Sequence, residues 1–545
     1  MAGIKFNRKE FEKHIKLTKE IEEKISLFGT HLEGVNDNEI EIEVTANRPD
    51  LYSLQGFIRA FSGFIGKNVG LKQYKIKKPE KNFEVKVDSS VKTIRPYTAC
   101  AIIKNLSFND EKIKEMIDIQ EKLHSTLGRN RKKIAIGIYP LEKITLPIKF
   151  EARKPQDIKF QPLEMNREMN GLQILQQHPT GREYAHLLEG KEKFPVFIDA
   201  KNQVLSMPPI INSHNTGKVS EFTKDLFIEC SGFDFSVLNK TLNILVTMFA
   251  DMGGDIYQMN LLYDKNKQVT PNLEPEKIKL SVSNVNKLLG LELKEQEVKK
   301  LIEKAGYNYN YSAQIAEIPA WRTDIMHEVD LIEDIAIAYG YNNFAPEIPQ
   351  ISTIGEISPI ESLKKRIADI LVGLNITEVL SYHLLTQEDI KKFNIKSAIE
   401  VEDSKSEYKY LRNNLLNMTL KVLSENVDKE YPQRIFETGV VFNKDETGKA
   451  ETGINEQERL ALTITSPTTG FTEAKQILDY LMRMLGKEYK LETGMNPTFI
   501  EGRCAKVIIG GNEIGILGEI SPQVLNSLKI KMPIAALDID LKSLL

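Results

Sequence analysis

Apolar residues recur along the chain with two periods, and the changes between them divide it into four regions. In residues 1–77, helical spacing gives way to strict alternation over 39–44, the mark of a half-buried strand. A turn at Asn47-Arg48-Pro49-Asp50-Leu51 then opens a helix that runs to Phe61. A lysine-rich connector with Pro79 leads into the longest region, 82–272. There 134–138 and 194–199 predict strands, and 204–213 predicts a hairpin arm bent where Pro208 and Pro209 remove two backbone donors. Residues 226–231 alternate, so Glu229 and Ser231 share one face while Leu226, Ile228 and Cys230 share the other. A helix follows, capped by Asp234 or Ser236, with Leu238, Leu242, Leu245 and Phe249 as its buried stripe.

Pro271 and Pro275 mark a linker into a small third region, 276–348. Helices are expected at 282–289 and 293–305, the second with Val298, Leu301, Ile302 and Ala305 inward, and then a hairpin. The region closes on a helix in which Leu331, Ile335 and Ala338 keep helical spacing and Gly340 supplies the stop. The fourth region, 350–545, sets a helix at 363–374 against strands at 433–442, 459–464, 505–509 and 514–519, with a closing helix at 521–528. The whole reads as an α+β multidomain protein with an N-terminal α/β domain.

Composition narrows the function classes. The 545 residues carry 73 basic and 76 acidic side chains, a net charge of −3, so no global field draws in nucleic acid. Any RNA contact must be local or come through a partner, and the mixed charge of 276–348 argues against DNA. The three cysteines, Cys100, Cys230 and Cys504, lie far apart without a CxxC pair, which disfavours structural zinc and a disulfide framework. A polar N-terminus and the lack of an apolar run of membrane-spanning length complete the expectation of a soluble cytoplasmic protein.

Candidate chemistry concentrates in two places. On the helix before Gly340, Asp330, Glu333 and Asp334 stand at i, i+3 and i+4, with Asp324 just ahead of it. Carboxylates so placed either form a solvated acidic face or, as hard oxygen donors, suit Mg2+. Arg-x-Asp precedes a helix twice, as Arg48/Asp50 and as Arg322/Asp324, a weak internal duplication. Its first copy offers Ser53, Gln55 and Arg59 where the second has acids, and should bind no metal. The basic stretch 124–133 is either a solvated loop or a phosphate-holding turn. No Ser-His-Asp or Cys-His pairing supports covalent catalysis.

Trp321-Arg322, Asp324, Asp330 and Glu333-Asp334, followed by Ala338-Tyr339-Gly340-Tyr341, resemble the signature of the phenylalanyl-tRNA synthetase beta-subunit family, with Asp334 where bacterial members commonly carry Glu. The stretches GRNRKKIAIG, HPTGREYAHLL, VLSMPPIINS and LFIECSG resemble the editing domain of its archaeal and eukaryotic form. The resemblance implies an N-terminal domain at 1–77, a tRNA-binding editing domain at 82–272 and a winged-helix-like domain at 276–348. It also implies a class II synthetase catalytic-like antiparallel domain at 350–545. It assigns Asp324, Asp330, Glu333 and Asp334 to a Mg2+ shared with the alpha subunit of an α2β2 enzyme, with ATP used at the alpha-subunit site and tRNA(Phe) as substrate. The editing domain would hydrolyse Tyr-tRNA(Phe). An apolar pocket discriminates against one added hydroxyl only about a hundredfold, so a second site must reward the hydroxyl with a buried acceptor. Glu229 is the candidate, with Ser231, Ser213 and Leu205 shaping the pocket. The catalytic-like domain departs from a working one. Arg434 and Glu437 are three residues apart and fall on opposite strand faces, and 521–528 lacks the expected arginine. The other reading is a free-standing scaffold or nucleic-acid-binding protein without ligase association.

Overall fold

Antiparallel strand pairing organises both parts of the chain. The computed structural model describes residues 2–264, 266–349 and 351–545, so the expected start of the fourth region at 350 lies outside the described residues. Two units emerge, Met1–Glu347 and Ile348–Leu545. The first three expected regions therefore fold into one unit.

In the first unit, Glu39–Val44 is the central strand of a three-stranded sheet, between Ala2–Asn7 and His31–Val35. Its inward Ile40, Ile42 and Val44 meet the helix Leu54–Phe64, whose Phe57 and Phe61 form an aromatic cluster with Phe28. An eleven-stranded sheet follows. Within it Leu226–Gly232 lies between Tyr97–Lys104 and Ile134–Pro140, antiparallel to both, and every residue of that strand is buried. The helix Phe235–Asp251, capped by the Asp234 carboxylate, covers the face that carries Ile228 and Cys230. The two prolines occupy the tight turn between Val204–Met207 and Ile211–Asn212, where no ladder donor is needed.

The 276–348 region contains the expected helices, Val282–Leu289 and Glu295–Lys304, the second starting two residues later than periodicity suggested. The hairpin Asn308–Asn310 and Ile315–Ile318 gains a third strand, Glu276–Lys279, at the start of the region, where no element was expected. The last helix, Glu328–Tyr339, ends at Gly340 with φ +94°, a conformation glycine adopts freely.

The second unit is built on a seven-stranded sheet. Its centre, Ile534–Asp540, went unpredicted although it pairs with both Ile454–Thr465 and Asn512–Ile520. The helices Leu415–Glu425 and Phe471–Leu485 were missed as well. On Gln433–Lys444, Arg434 reaches Glu473 of the helix Phe471–Leu485, whereas Glu437 is fully buried against Arg412 at 2.6 Å and the Ser381 hydroxyl at 2.7 Å. The two side chains thus serve opposite faces and cannot grip one ligand together.

Removing one partner of a buried ion pair strands the other charge. Arg412→Met is expected to cost about 3–5 kcal/mol, and adding Glu437→Leu to restore most of it. Urea unfolding of the full chain checks this. A single variant within about 0.5 kcal/mol of wild type, the range of a surface change, would contradict it.

Candidate functional site

The acidic helix places its carboxylates in separate tasks. Arg322 forks onto Asp324, Nε to Oδ1 and Nη2 to Oδ2, both at 2.8 Å. Its Nη2 also reaches Asp334 Oδ2 at 2.9 Å, and the Tyr307 hydroxyl donates to that same oxygen. Asp330 sits at the third position of the helix and accepts the backbone N–H groups of Met326 and His327 at 2.7 Å, a capping role. Glu333 is exposed. Among the described residues no group of three or more His, Cys, Asp or Glu side chains stands where one metal ion fits. Asp324, Asp330, Glu333 and Asp334, the residues expected to share a Mg2+ with an alpha subunit, thus do not converge on one point within the described residues of this chain. The two most buried of them already hold a cation, the Arg322 guanidinium.

The first copy of the motif repeats the fork. Arg48 holds Asp50 through Nε and Nη2, each at 2.9 Å. Arg48, Asp50, Arg322 and Trp321 line one cavity of about 350 Å3 with Arg59, whose guanidinium lies 4.6 Å over the Trp321 ring and bonds Asp251 at 2.5 Å. The tryptophan and the duplicated arginines thus knit the N-terminal region to the third.

A larger cavity, about 630 Å3, opens in the middle region between Ile136, Ile138, Pro208, Pro209 and His214, with Glu229 in its wall. Glu229 is only 1% exposed. Its Oε1 accepts the Tyr139 hydroxyl at 3.2 Å, while Oε2 has no partner. The neighbouring strand makes room for it. Glu229 pairs with Gly137, and a Cβ there would fall 2.5 Å from Glu229 Oε1 and 2.1 Å from Tyr139 Oη. Burial pushes the Glu229 carboxyl up to about 8, against the downward pull of the Tyr139 hydrogen bond and the Arg95 charge. At neutral pH it is mostly a protonated acid, able to donate as well as accept, and not the carboxylate that sequence reasoning assumed.

The other three candidates stand apart from the cavity wall. Ser231 accepts Arg95 Nε at 3.1 Å, and its carbonyl takes Nη2 at 2.7 Å. Ser213 donates its N–H to Leu205 O at 2.8 Å, and Leu205 packs in the core with Phe150 and Phe197. Elsewhere in the middle region Asp199 holds three backbone N–H groups and His178 caps a helix start. Arg95, Gly137, Tyr139 and His214 escaped the sequence reading. Gly137 lies within the expected strand 134–138, and extending that strand by one residue would have added Tyr139 on the same face, beside Glu229. Arg129, Asn130 and Arg131 turn the basic stretch through three consecutive positive φ angles of 48°, 51° and 62°. Arg131 folds inward, donating to Ile210 O at 2.8 Å and covering the Tyr184 ring at 4.6 Å. Arg129, Lys132 and Lys133 stay exposed.

Comparison with known proteins sets this geometry in a family. Residues 345–541 match the phenylalanyl tRNA synthetase beta chain CLM domain, and 278–341 the tRNA synthetase B5 domain. These modules define a subunit of an aminoacyl-tRNA synthetase. The phenylalanine–tRNA ligase beta subunit of Pyrococcus horikoshii is 40% identical over 504 residues, 91% of this chain and 90% of that one. Its counterpart in Archaeoglobus fulgidus is 36% identical over 532 residues, covering 95% and 94%. The crystal structure of an N-terminal fragment of the Pyrococcus horikoshii beta subunit aligns with a TM-score of 0.60 at 36% identity, covering 62% of this chain and 99% of the fragment. The chain belongs to the phenylalanine–tRNA ligase beta-subunit family.

Two outcomes follow from the side-chain geometry. Glu229 holds its proton more tightly in the folded chain than at the ordinary 4.5, so the folded state binds more protons between pH 4.5 and about 8. Its contribution to stability falls as pH rises through that window and levels off above it. Glu229→Gln is expected to remove this slope, leaving the smaller one from Glu115, which burial pushes to about 7. Denaturant unfolding across the window checks it, and an unchanged pH profile would contradict it. Because Arg322 already neutralises Asp324 and Asp334, Mg2+ or EDTA is expected to leave the melting temperature of the purified chain unchanged. A saturable rise with Mg2+ would mean that the arginine yields to the metal.

Proposed function

We propose that this chain is the noncatalytic, editing subunit of an α2β2 phenylalanine–tRNA ligase of the cytoplasm. Phenylalanine activation with ATP and Mg2+ is assigned to the alpha-subunit site, and tRNA(Phe) is the shared substrate. The 276–348 region is read as winged-helix-like and 350–545 as a scaffold shaped like a class II catalytic domain. Its Arg434 and Glu437 are held by Glu473 and Arg412, so activation of phenylalanine is not expected from it. Partner association is supported by Ile348, Ile351, Ile354 and Ile357, which repeat every third residue and are 69–97% exposed. An apolar row of this kind is costly in water unless another surface covers it.

The observation that carries the editing reading is the unpartnered Glu229 oxygen in the wall of the 630 Å3 cavity. A tyrosine side chain entering it would exchange hydrogen bonds with the neutral carboxyl, whereas phenylalanine would leave the group unsatisfied. With no nucleophile–base pair at hand, water attacks the ester carbonyl, the carbonyl–ribose oxygen bond breaks, and the ribose oxygen takes up the proton. Arg129, Lys132 and Lys133 supply charge for the tRNA backbone. Glu229→Ala in the purified complex is expected to slow deacylation of Tyr-tRNA(Phe) about ten- to hundredfold, with phenylalanine charging unaffected. Equal deacylation rates for wild type and variant would assign Glu229 to structure alone.

A further inference from the structure

The second unit contains a polar cavity of about 440 Å3 that none of the chemistry above uses. Strand register sets Glu437, Ala461 and Asp538 in one row across the sheet, so the cavity's Arg459 and Asp538 share the face that buries the Arg412–Glu437 pair. Arg412 ties that face down by donating to Val440 O at 2.8 Å and to Glu437 at 2.6 Å, which fixes the adjoining Asn413. Two acceptors in the cavity wall have no partner. One is Asp538 Oδ2, on a side chain 2% exposed; the other is Asn413 Oδ1. Asp538 gives only Oδ1 to Arg459, at 2.5 Å from Nε.

The charge balance of the wall selects the ligand. Arg459 is the one cation among the described lining residues, against Glu513, Asp538 and Asp540; Glu513 is already paired with Lys506 at 2.6 Å, which leaves the two aspartates facing one arginine. Since Arg459 is already engaged, an anion or the carboxylate of a zwitterion finds no uncommitted cation there, and a neutral polyol leaves the carboxylates uncompensated. A divalent metal is a poor fit, because such ions need several converging oxygens and no ligand group of that kind occurs among the described residues. An alkylammonium group carries three donors and no acceptor, which complements two orphaned acceptors and an excess of carboxylate. We propose that this cavity binds a small organic polyamine. One ammonium donates to Asp538 Oδ2 and Asn413 Oδ1, and a second faces the Asp540 carboxylate. Burial holds the Asp538 carboxyl above its ordinary range despite Arg459, and an adjacent ammonium draws it back towards ionisation.

Isothermal titration calorimetry of the full chain in its purified complex, free of tRNA, with spermidine tests the proposal. One saturable site per chain is expected. The affinity should drop tenfold or more in Asn413→Ala and in Asp538→Asn, and should not change in Glu446→Gln, an exposed acid elsewhere on this unit. Should Asp538→Asn fail to fold, Asn413→Ala decides. The proposal is overturned by the absence of saturable heat, by an unchanged affinity in Asn413→Ala, or by Mg2+ or glycine competing equally for the site.

Discussion

A carboxyl group sealed between β-strands has few ways to exist, and the middle of this protein is arranged around that constraint. Glu229 lies on a strand flanked on both sides and buried along its whole length. Water cannot solvate its charge there, and the hydrogen bonding it receives, chiefly from Tyr139, falls short of replacing that solvation. The proton stays on. Gly137 leaves the space, Arg95 limits the upward shift, and the prolines at 208 and 209 help line the cavity. A neutral acid with one free oxygen discriminates a phenol from a benzene ring because only the phenol satisfies it.

Elsewhere the chain meets buried carboxylates with guanidinium groups. Arg48 with Asp50, Arg322 with Asp324 and Asp334, and Arg412 with Glu437 are fixed pairs in which the planar fork sets direction as well as charge. Such pairs add less stability than their short distances suggest, since both partners lose their water. They do define geometry. In the third region Arg322 ties Asp324 to Asp334. In the second unit Arg412 removes Glu437 from any shared task with Arg434.

Much of this was legible in the sequence, for identifiable reasons. Alternation located the strand carrying Glu229 and the helix behind it, because a sheet covered by a helix on one face imposes that period. The duplicated Arg-x-Asp announced a repeated local geometry, which reappears as two forks. Spacing on the acidic helix reports which side chains share an arc and not which are already occupied within the chain. Asp330 was spent on a helix cap and Asp334 on Arg322 and Tyr307, a partner 27 residues earlier in the chain. Ser231 was placed by its strand face and Ser213 and Leu205 through the family resemblance, whereas Arg95 reaches Ser231 from a loop that no local pattern connects to it. The central strand Ile534–Asp540 was overlooked because its buried aspartate breaks an apolar run.

The account turns on the protonation state of one side chain, which vibrational spectroscopy reads directly. The infrared difference spectrum between wild type and Glu229→Gln isolates the Glu229 carboxyl. It is expected to show the C=O stretch of a protonated acid at neutral pH, lost on titration with a midpoint near 8. A carboxylate signature at neutral pH, with titration near the ordinary value of 4.5, would mean that Glu229 is solvated and charged, and the account would fail.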